Sequence, residues 1–538
     1  MMNDAPRISR RAFTTGALGA AALAPLGRYA FAQTPRSGGR LVVAAESEPR
    51  NLNPAIIASN AVFHIAAKVI EPLAEMSYEG KDGLEPRLAT AWSGAPDGRS
   101  ITFTLREGVS WHDGKPFGSA DVAFSALEVW KKLQNLGRVV FKDLEAVDTP
   151  DAKTAVFRFS RPTPLQLILN ALPGLTSVLP KHVYEGTDIN ANPANARLVG
   201  TGPFRFAEYR QGQFYRLERN PSYWDKGKPY LESIVFRVLP DRGAVAAAIE
   251  ANEIQVAAFS TVPLGDLKRI GAVPGVTVTG KGYEGLTYQL TVEVNHRRKE
   301  LADARVRRAI AHAIDRQFVV NTIFLGYATA SNGPVPKFDK QFHFAEAPAP
   351  GFDPKRAEAL LDEAGYPRGA NGMRFALNIL PAPWFEQTRQ FGDYLRQALR
   401  TIGIDARVSG NDAPAHLKAV YTDHAFDLAV GSPVYRNDPA ISTTILYQSG
   451  LPAGVPFSNQ YGYASKAMDE LITKAAVTVD ARQRAGLYRD FQKLAGEEQP
   501  LIHVAEFTFI TVARTSVRNL ANNPRWATSH WADTWLQA

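Results

Sequence analysis

The chain has 538 residues, 45% of them hydrophobic and 21% charged, an ordinary globular composition too long for one core, so two or three domains are expected. Its formal charge of +8 comes from scattered basic residues with no Lys/Arg block and no RNA-binding aromatic motif, so no nucleic-acid partner is expected. The absence of cysteine excludes disulfide stapling, thiol catalysis and iron–sulfur ligation.

The first segment reads as a targeting signal. Ser9-Arg10-Arg11-Ala12-Phe13 precedes an apolar run from Gly16 to Leu26, and Ala30-Phe31-Ala32 offers a small-residue cleavage site that would leave Gln33 first. Residues 1–32 are therefore expected to be an export signal of twin-arginine type, with the general export route as the alternative. No later run approaches the ~20 apolar residues of a membrane span.

Leu41-Val42-Val43-Ala44-Ala45 predicts a short buried strand, followed by the polar, proline-bracketed loop Glu46 to Pro54. A polar loop at a strand's carboxyl end suits a binding cleft, with Glu48 as the candidate, and suits an ordinary solvated loop equally well. From residue 76 to 199 the pattern becomes rich in hairpins. Ile101, Phe103 and Leu105 alternate with Thr102, Thr104 and Arg106, and Asp113-Gly114 marks a reversal. His112 has no Ser, Cys or metal partner nearby and reads as a turn histidine. Ser119 is placed to cap a helix carrying Val122, Ala126, Val129, Trp130 and Leu133 on one face.

The stretch from Gly200 to Asp241, GTGPFRFAEYRQGQFYRLERNPSYWDKGKPYLESIVFRVLPD, predicts a hairpin, an aromatic loop over Arg219 to Trp224, and a further strand through Ile234, Phe236 and Val238. Gly200-Thr201-Gly202 fails as a dinucleotide fingerprint because Arg205 stands where the third glycine belongs. Residues 275–282 nearly form a phosphate loop, but Gly282 replaces the required hydroxyl residue and branched side chains fill the middle, so strand and turn are expected. An Ala-rich helix is expected over 243–252.

Beyond Asn295, Asp303 is placed to cap a helix with Val306, Ile310 and Ile314 on its apolar stripe and Arg305, Arg307 and Arg308 on a solvated face. Asp353-Pro354 starts another helix that Gly365 ends. A third helix through Phe391, Leu395 and Leu399 stops at Gly403, and Ile404, Ala406 and Val408 follow as a strand. Helix and strand alternate, which predicts an α/β lobe. The tail from Phe507 to Ala513 alternates as one more strand. The ten histidines form no metal-binding or nucleophile-activating pattern, and no catalytic motif appears, so no enzyme, metal or cofactor is expected.

The Gly200–Asp241 stretch resembles the strongest signature of the periplasmic dipeptide and oligopeptide-binding proteins, family 5 of the solute-binding proteins that feed ATP-binding-cassette importers. Three further stretches carry the same resemblance in order: LREGVSWHDGKPFGSADVAFS between Leu84 and Ser125, DARVRRAIAHAIDR within Asn295 to Arg316, and FDPKRAEALLDEAGYP from Phe352 to Pro367. The resemblance implies an α/β, two-lobed periplasmic-binding-protein fold of type II, cluster C, with an extra small α+β domain inserted in lobe one. Lobe one would take 33–75, 200–290 and 507–538, the small domain 76–199, and lobe two 291–506. It implies hinge closure on a small-molecule or peptide ligand and delivery to a permease and ATPase complex in the inner membrane. Lacking the lipid-accepting cysteine of many relatives, the protein is expected to be a soluble, monomeric resident of the periplasm.

For the ligand, the informative loop is Gly431-Ser432-Pro433-Val434-Tyr435-Arg436-Asn437-Asp438-Pro439. Dipeptide-type relatives carry a similar Gly-Trp-x-x-Asp-x-x-Asp-Pro, whose first Asp holds the ligand amine. Tyr435 stands at that position here. Arg436 adds a planar cation suited to a carboxylate, and Asp438 either substitutes for the amine anchor or caps a helix starting at Pro439. Trp384, beside Pro381 and Pro383, reads as cleft wall or core filler. Tyr283 and Glu284 complete the candidates. A short peptide or peptide-like solute is the expected ligand, with opines, sugars and metal chelates as alternatives on the same fold, and a periplasmic hydrolase or chaperone as alternative classes.

Overall fold

A chain with alternating mixed sheets and helices must place loops where its strands end, and two seven-stranded sheets do so here. The computed structural model describes residues 34–537 apart from Arg50 and Ala58, so the predicted leader lies outside the described residues. In the first sheet the spatial order is Val276–Thr279, Thr511–Arg514, Val256–Ala257, Arg40–Ala45, Ser233–Val238, Phe214–Arg219 and Phe204–Arg210. Arg40–Ala45 runs parallel to Ser233–Val238, whose neighbours toward Phe204 are antiparallel, as the hairpin spacing predicts.

The second sheet runs Ala328–Ala330, Leu501–Phe507, Thr287–Val294, Leu428–Gly431, Phe375–Pro381 and Ile404–Val408, with Val434–Tyr435 also paired to Thr287–Val294. Helices cover it at the predicted places. Asp303 accepts from Arg305 N at 2.8 Å and Asp353 from Arg356 N at 2.9 Å, each satisfying an otherwise open amide at a helix start. The helix Glu386–Thr401 ends where Gly403 takes φ +84°, and Ile404 begins the next strand.

A four-stranded antiparallel sheet, in the order Ala89–Gly94, Ser100–Leu105, Thr154–Phe159 and Leu144–Asp151, forms the small module. Its turn at Asp113 and Gly114 is present, with Gly114 at φ +86°. His112 is held between Gly200 N at 3.2 Å and Gly202 O at 3.0 Å, and burial pushes its pKa down to about 4, which suits a neutral structural histidine. Ser119 is not the helix cap. Gly118 occupies that position, its N–H donating to Asp121 Oδ2 at 3.0 Å, while Ser119 Oγ donates to Asp151 O.

The Gly200–Asp241 signature has a physical reason. A Cβ at Gly200 would lie 1.8 Å from Val69 O, so only glycine lets this strand approach the backbone of residues 68–70. That approach delivers Thr201, Tyr223 and Trp224 to the fully buried Glu71, whose carboxylate accepts from Thr201 Oγ1 at 3.0 Å, Tyr223 Oη at 2.8 Å, Trp224 Nε1 at 3.1 Å and Arg87 Nη2 at 3.1 Å. A buried carboxylate so paired and bonded avoids the cost of an isolated charge.

Two sequence expectations change. Arg307 is not on a solvated face: it is buried and donates to Glu498 O, Leu301 O and Ala302 O, tying its helix to the helix Ala481–Glu498. The tail does not form one strand from Phe507 to Ala513. Leu501–Phe507 belongs to the second sheet and Thr511–Arg514 to the first, with Thr508-Phe509-Ile510 crossing between them. Alternation reports a strand's faces but not which sheet accepts its hydrogen bonds. Among the described residues no helix is long and apolar enough to cross a membrane.

Glu293, on the strand Thr287–Val294, is 3% exposed, and burial pushes its pKa up from 4.5 to about 8. Its contribution to stability is fully present below about pH 4.5 and is lost as pH rises through about 8, because the folded state holds a proton the unfolded chain has released. Glu293→Gln should therefore gain on the wild type between pH 5 and 8.5, by on the order of 3 kcal/mol in urea unfolding. Parallel pH curves would show that Glu293 ionises freely in the fold.

Candidate ligand-binding cleft

The chain passes between the two sheets twice, through Gly280–Leu286 and through Thr508–Ile510. The crossings lie side by side: Tyr283 Oη is 2.7 Å from Thr511 Oγ1, and Tyr288 pairs with Phe507. A cleft between the lobes must have these crossings as its floor. Tyr288 stands there, its ring meeting those of Phe385 at 5.2 Å, Phe507 at 5.5 Å and Phe509 at 5.2 Å. Asn60, at the start of the helix Asn60–Ala66, brings Nδ2 to 3.5 Å from the Tyr288 hydroxyl.

Charges of opposite sign from two loops act on this tyrosine. Glu46 follows the carboxyl end of the strand Arg40–Ala45 on the lobe I side, where burial raises its pKa and Arg242 opposes the rise. Arg436 follows Val434–Tyr435 on the lobe II side, and burial lowers its pKa while Tyr288 opposes. Both charges act on the Tyr288 hydroxyl. Among the described residues Arg436 makes no ion pair or hydrogen bond. A half-buried guanidinium without an acceptor is an uncompensated charge and calls for an anion from outside the protein.

The same architecture is found in known proteins. Residues 83–467 match the family described as bacterial extracellular solute-binding proteins, family 5 Middle. The chain belongs to the family 5 extracellular solute-binding proteins. It is 24% identical over 509 residues to the dipeptide-binding protein of Escherichia coli (strain K12), covering 90% of this chain and 92% of that one. It is 26% identical over 454 residues to the glutathione-binding protein GsiB of Salmonella typhi, covering 80% and 83%. The structure of the ABC transporter substrate-binding protein CtaP from Listeria monocytogenes matches with a TM-score of 0.81 at 23% identity, over 94% of this chain and all of that one.

Within this family 5 protein the candidate residues separate into two groups. Trp384 Nε1 donates to Ser432 Oγ at 2.7 Å, four residues before Arg436, and its ring meets His416 and Phe457 edge-on. The others are occupied elsewhere. Tyr435 is buried under the wall and donates its hydroxyl to Asp339, whose carboxyl burial pushes up to about 6 against that hydrogen bond. Asp438 accepts from Arg484 through both oxygens, each at 2.7 Å, and also caps Ala440 N at 2.9 Å, so it neither replaces the amine anchor nor faces a ligand. Its fourth bond, from Asn170 Nδ2 at 3.2 Å, joins it to the helix Leu165–Leu175 of the small module.

Glu48 is bound by Gly212 N at 2.9 Å and by the Tyr209 hydroxyl, which fastens its loop to the hairpin. Tyr283 is 1% exposed and accepts from Phe259 N at 2.9 Å. Glu284 accepts from Tyr78 Oη at 2.8 Å and Gly282 N at 3.1 Å, bracing the first crossing. Asn60, Tyr288 and Phe385 meet at the crossings and were not singled out from the sequence. Glu46 and Phe385 lie in the same two loops as Glu48 and Trp384. No group of three His, Cys, Asp or Glu positioned to hold a metal ion occurs among the described residues.

Breaking the Asp438–Arg484 pair leaves a buried charge without its partner, which costs about 3–5 kcal/mol in comparable buried pairs. Arg484→Ala should lower the free energy of urea unfolding by about that amount, while Asn170→Ala, at the pair's edge, should cost about 1 kcal/mol. Equal small losses would mean the pair is solvated.

Proposed function

We propose that this protein is a periplasmic solute receptor, exported through residues 1–32, that closes its lobes on a short peptide or peptide-like ligand. It then hands that ligand unaltered to an inner-membrane permease and ATPase complex. The observation carrying the reading is that Arg436, half-buried directly after Val434–Tyr435 and beside the crossing strand Thr287–Val294, lacks an acceptor among the described residues, with Glu46 exposed at the carboxyl end of Arg40–Ala45. An acid and a base separated by an aromatic floor suit a solute with an amine at one end and a carboxylate at the other. The relatives named for dipeptide and glutathione binding support the same class. Because Tyr435 is committed to Asp339 and Asp438 to Arg484, the amine falls to Glu46 in this reading.

Thermal-shift screening against di- and tripeptides, opines, sugars and metal chelates tests the class, since a ligand confined to the folded state raises its melting point. A shift from peptides supports the proposal; shifts confined to sugars or chelates overturn it. For a binding dipeptide, Arg436→Ala should weaken affinity by about 2 kcal/mol or more, and should weaken the C-terminal amide much less. Equal losses would take Arg436 out of the carboxylate contact. Solution scattering should show a smaller radius of gyration at saturation, and an unchanged radius would count against hinge closure.

A further inference from the structure

A set of unpartnered polar atoms lies in lobe I, where two of its strands end. Arg40–Ala45 and Val256–Ala257 run parallel, and the loops leaving their carboxyl ends, with the helix Asn60–Ala66, enclose a small cavity. Its lining includes Ala45, Glu46, Ala61, His64, Phe259 and Thr261. Crevices at such strand ends are where open α/β sheets bind ligands. His64 is 4% exposed and Thr261 2%, yet His64 Nε2 and Thr261 Oγ1 have no hydrogen-bond partner among the described residues. Glu46 is the exposed member of the lining, and among the described residues it makes no ion pair or hydrogen bond. The cavity therefore meets solvent at a carboxylate.

This cavity adjoins the crossings. Phe259, in its wall, packs its ring against Tyr283 at 5.5 Å and Phe509 at 5.2 Å, one residue from each crossing. Ala61 follows Asn60, whose Nδ2 reaches the Tyr288 hydroxyl. The wall is held against strain: Phe259 and Ser260 take φ +58° and +54° in succession, a conformation that costs side chains of this kind. Tyr283 Oη accepts from Phe259 N at 2.9 Å, while Ser260 N donates to Ile510 O and Ile510 N to Ser260 Oγ, each at 2.9 Å. These bonds from the crossings keep Thr261 in the lining. His64 is fixed as firmly, its ring met edge-on by Phe236 and Phe259 at 5.0 Å and by Trp531 at 5.5 Å. Burial, with Lys68 four residues along the chain, holds His64 neutral, so Nε2 can accept a hydrogen bond. Lys68 itself donates to Ala527 O at 2.7 Å, with Nζ over the Trp531 ring.

We propose that this cavity is the amine subsite: an unsubstituted ammonium of the solute enters past Glu46 and donates one N–H each to the Glu46 carboxylate, Thr261 Oγ1 and His64 Nε2. The proposal deepens the peptide reading and rests on it. A primary ammonium has three N–H donors and no acceptor, and the lining offers three acceptors with a single negative charge among them. The space takes one water-sized group, which is the size of an ammonium head. Filling it also ends the cost of leaving two buried polar atoms unbonded. A methyl or acetyl group on the nitrogen has no room there and removes a donor, so the site selects solutes with a free primary amine.

Titration calorimetry with Ala-Ala, Ala-Phe and Ala-Ala-Ala, each beside its N-methyl counterpart of equal charge, reads this directly. The wild-type protein should bind at least one free peptide and prefer it to its N-methyl form at least tenfold. Thr261→Val, similar in shape but without the acceptor, should weaken the free peptide about tenfold and cut the preference below threefold, whereas Thr261→Ser should retain most of both. Glu46→Gln, at the exposed end of the lining, should weaken the free peptide as well. Equal wild-type affinity within every bound pair would overturn the amine subsite and leave the peptide reading standing. Binding of none of the free peptides would overturn both. A preference unchanged in Thr261→Val would mean that the buried atoms hold only water. Full affinity in Glu46→Gln would overturn the subsite whether or not the Thr261 variants fold.

Discussion

The structure depends on a constraint of connectivity: among the described residues the chain passes between the two large sheets twice, and the two passages are bonded to each other. Tyr283 and Thr511 join them by hydroxyls 2.7 Å apart, and the Tyr288–Phe507 pairing continues the junction into the second sheet. The loop after Arg40–Ala45 brings Glu46 to this seam from one side, and the loop after Val434–Tyr435 brings Arg436 from the other. Two adjacent covalent connections permit rotation about a line while resisting sliding, which is the mechanical requirement of hinge closure.

Buried ions divide the molecule's work. Where the protein supplies both partners, as in Asp438 with Arg484 and Glu71 with Arg87, the charge is spent on positioning loops and joining modules. Arg436 has no protein counter-ion among the described residues, and the proposed function assigns its partner to the solute. Truncating one partner of a buried pair is expensive, so the first class reads out as stability and the second as affinity. Asp438 shows how easily the classes are confused, because its position in the sequence is beside Arg436 while its oxygens are turned into lobe II.

Elements with strong local causes were legible. The Asp303 and Asp353 caps, the stop at Gly403, the Asp113-Gly114 reversal and the hairpin around Gly212 follow from the backbone preferences of a few neighbouring residues. Errors arose where a distant segment decided the outcome. Arg307 looked solvated by helical phase, but carbonyls near Glu498 collect its donors. Phe507 to Ala513 looked like one strand, yet its two halves are claimed by different sheets. In both cases the local pattern was satisfied by two arrangements, and packing chose between them.

By itself the sequence determined the family and the alternation of helices and strands around the second sheet. It determined these because turn, cap and alternation signals act within a few residues, and the long motifs are read as whole strings. Only the tertiary structure decided that Glu48 is held by Gly212 and Tyr209, that Tyr435 is turned into Asp339, and that Asp438 is held by Arg484. Those outcomes depend on which remote group satisfies a buried charge or hydroxyl first. No spacing within one segment encodes that competition, because its partners are set by the fold.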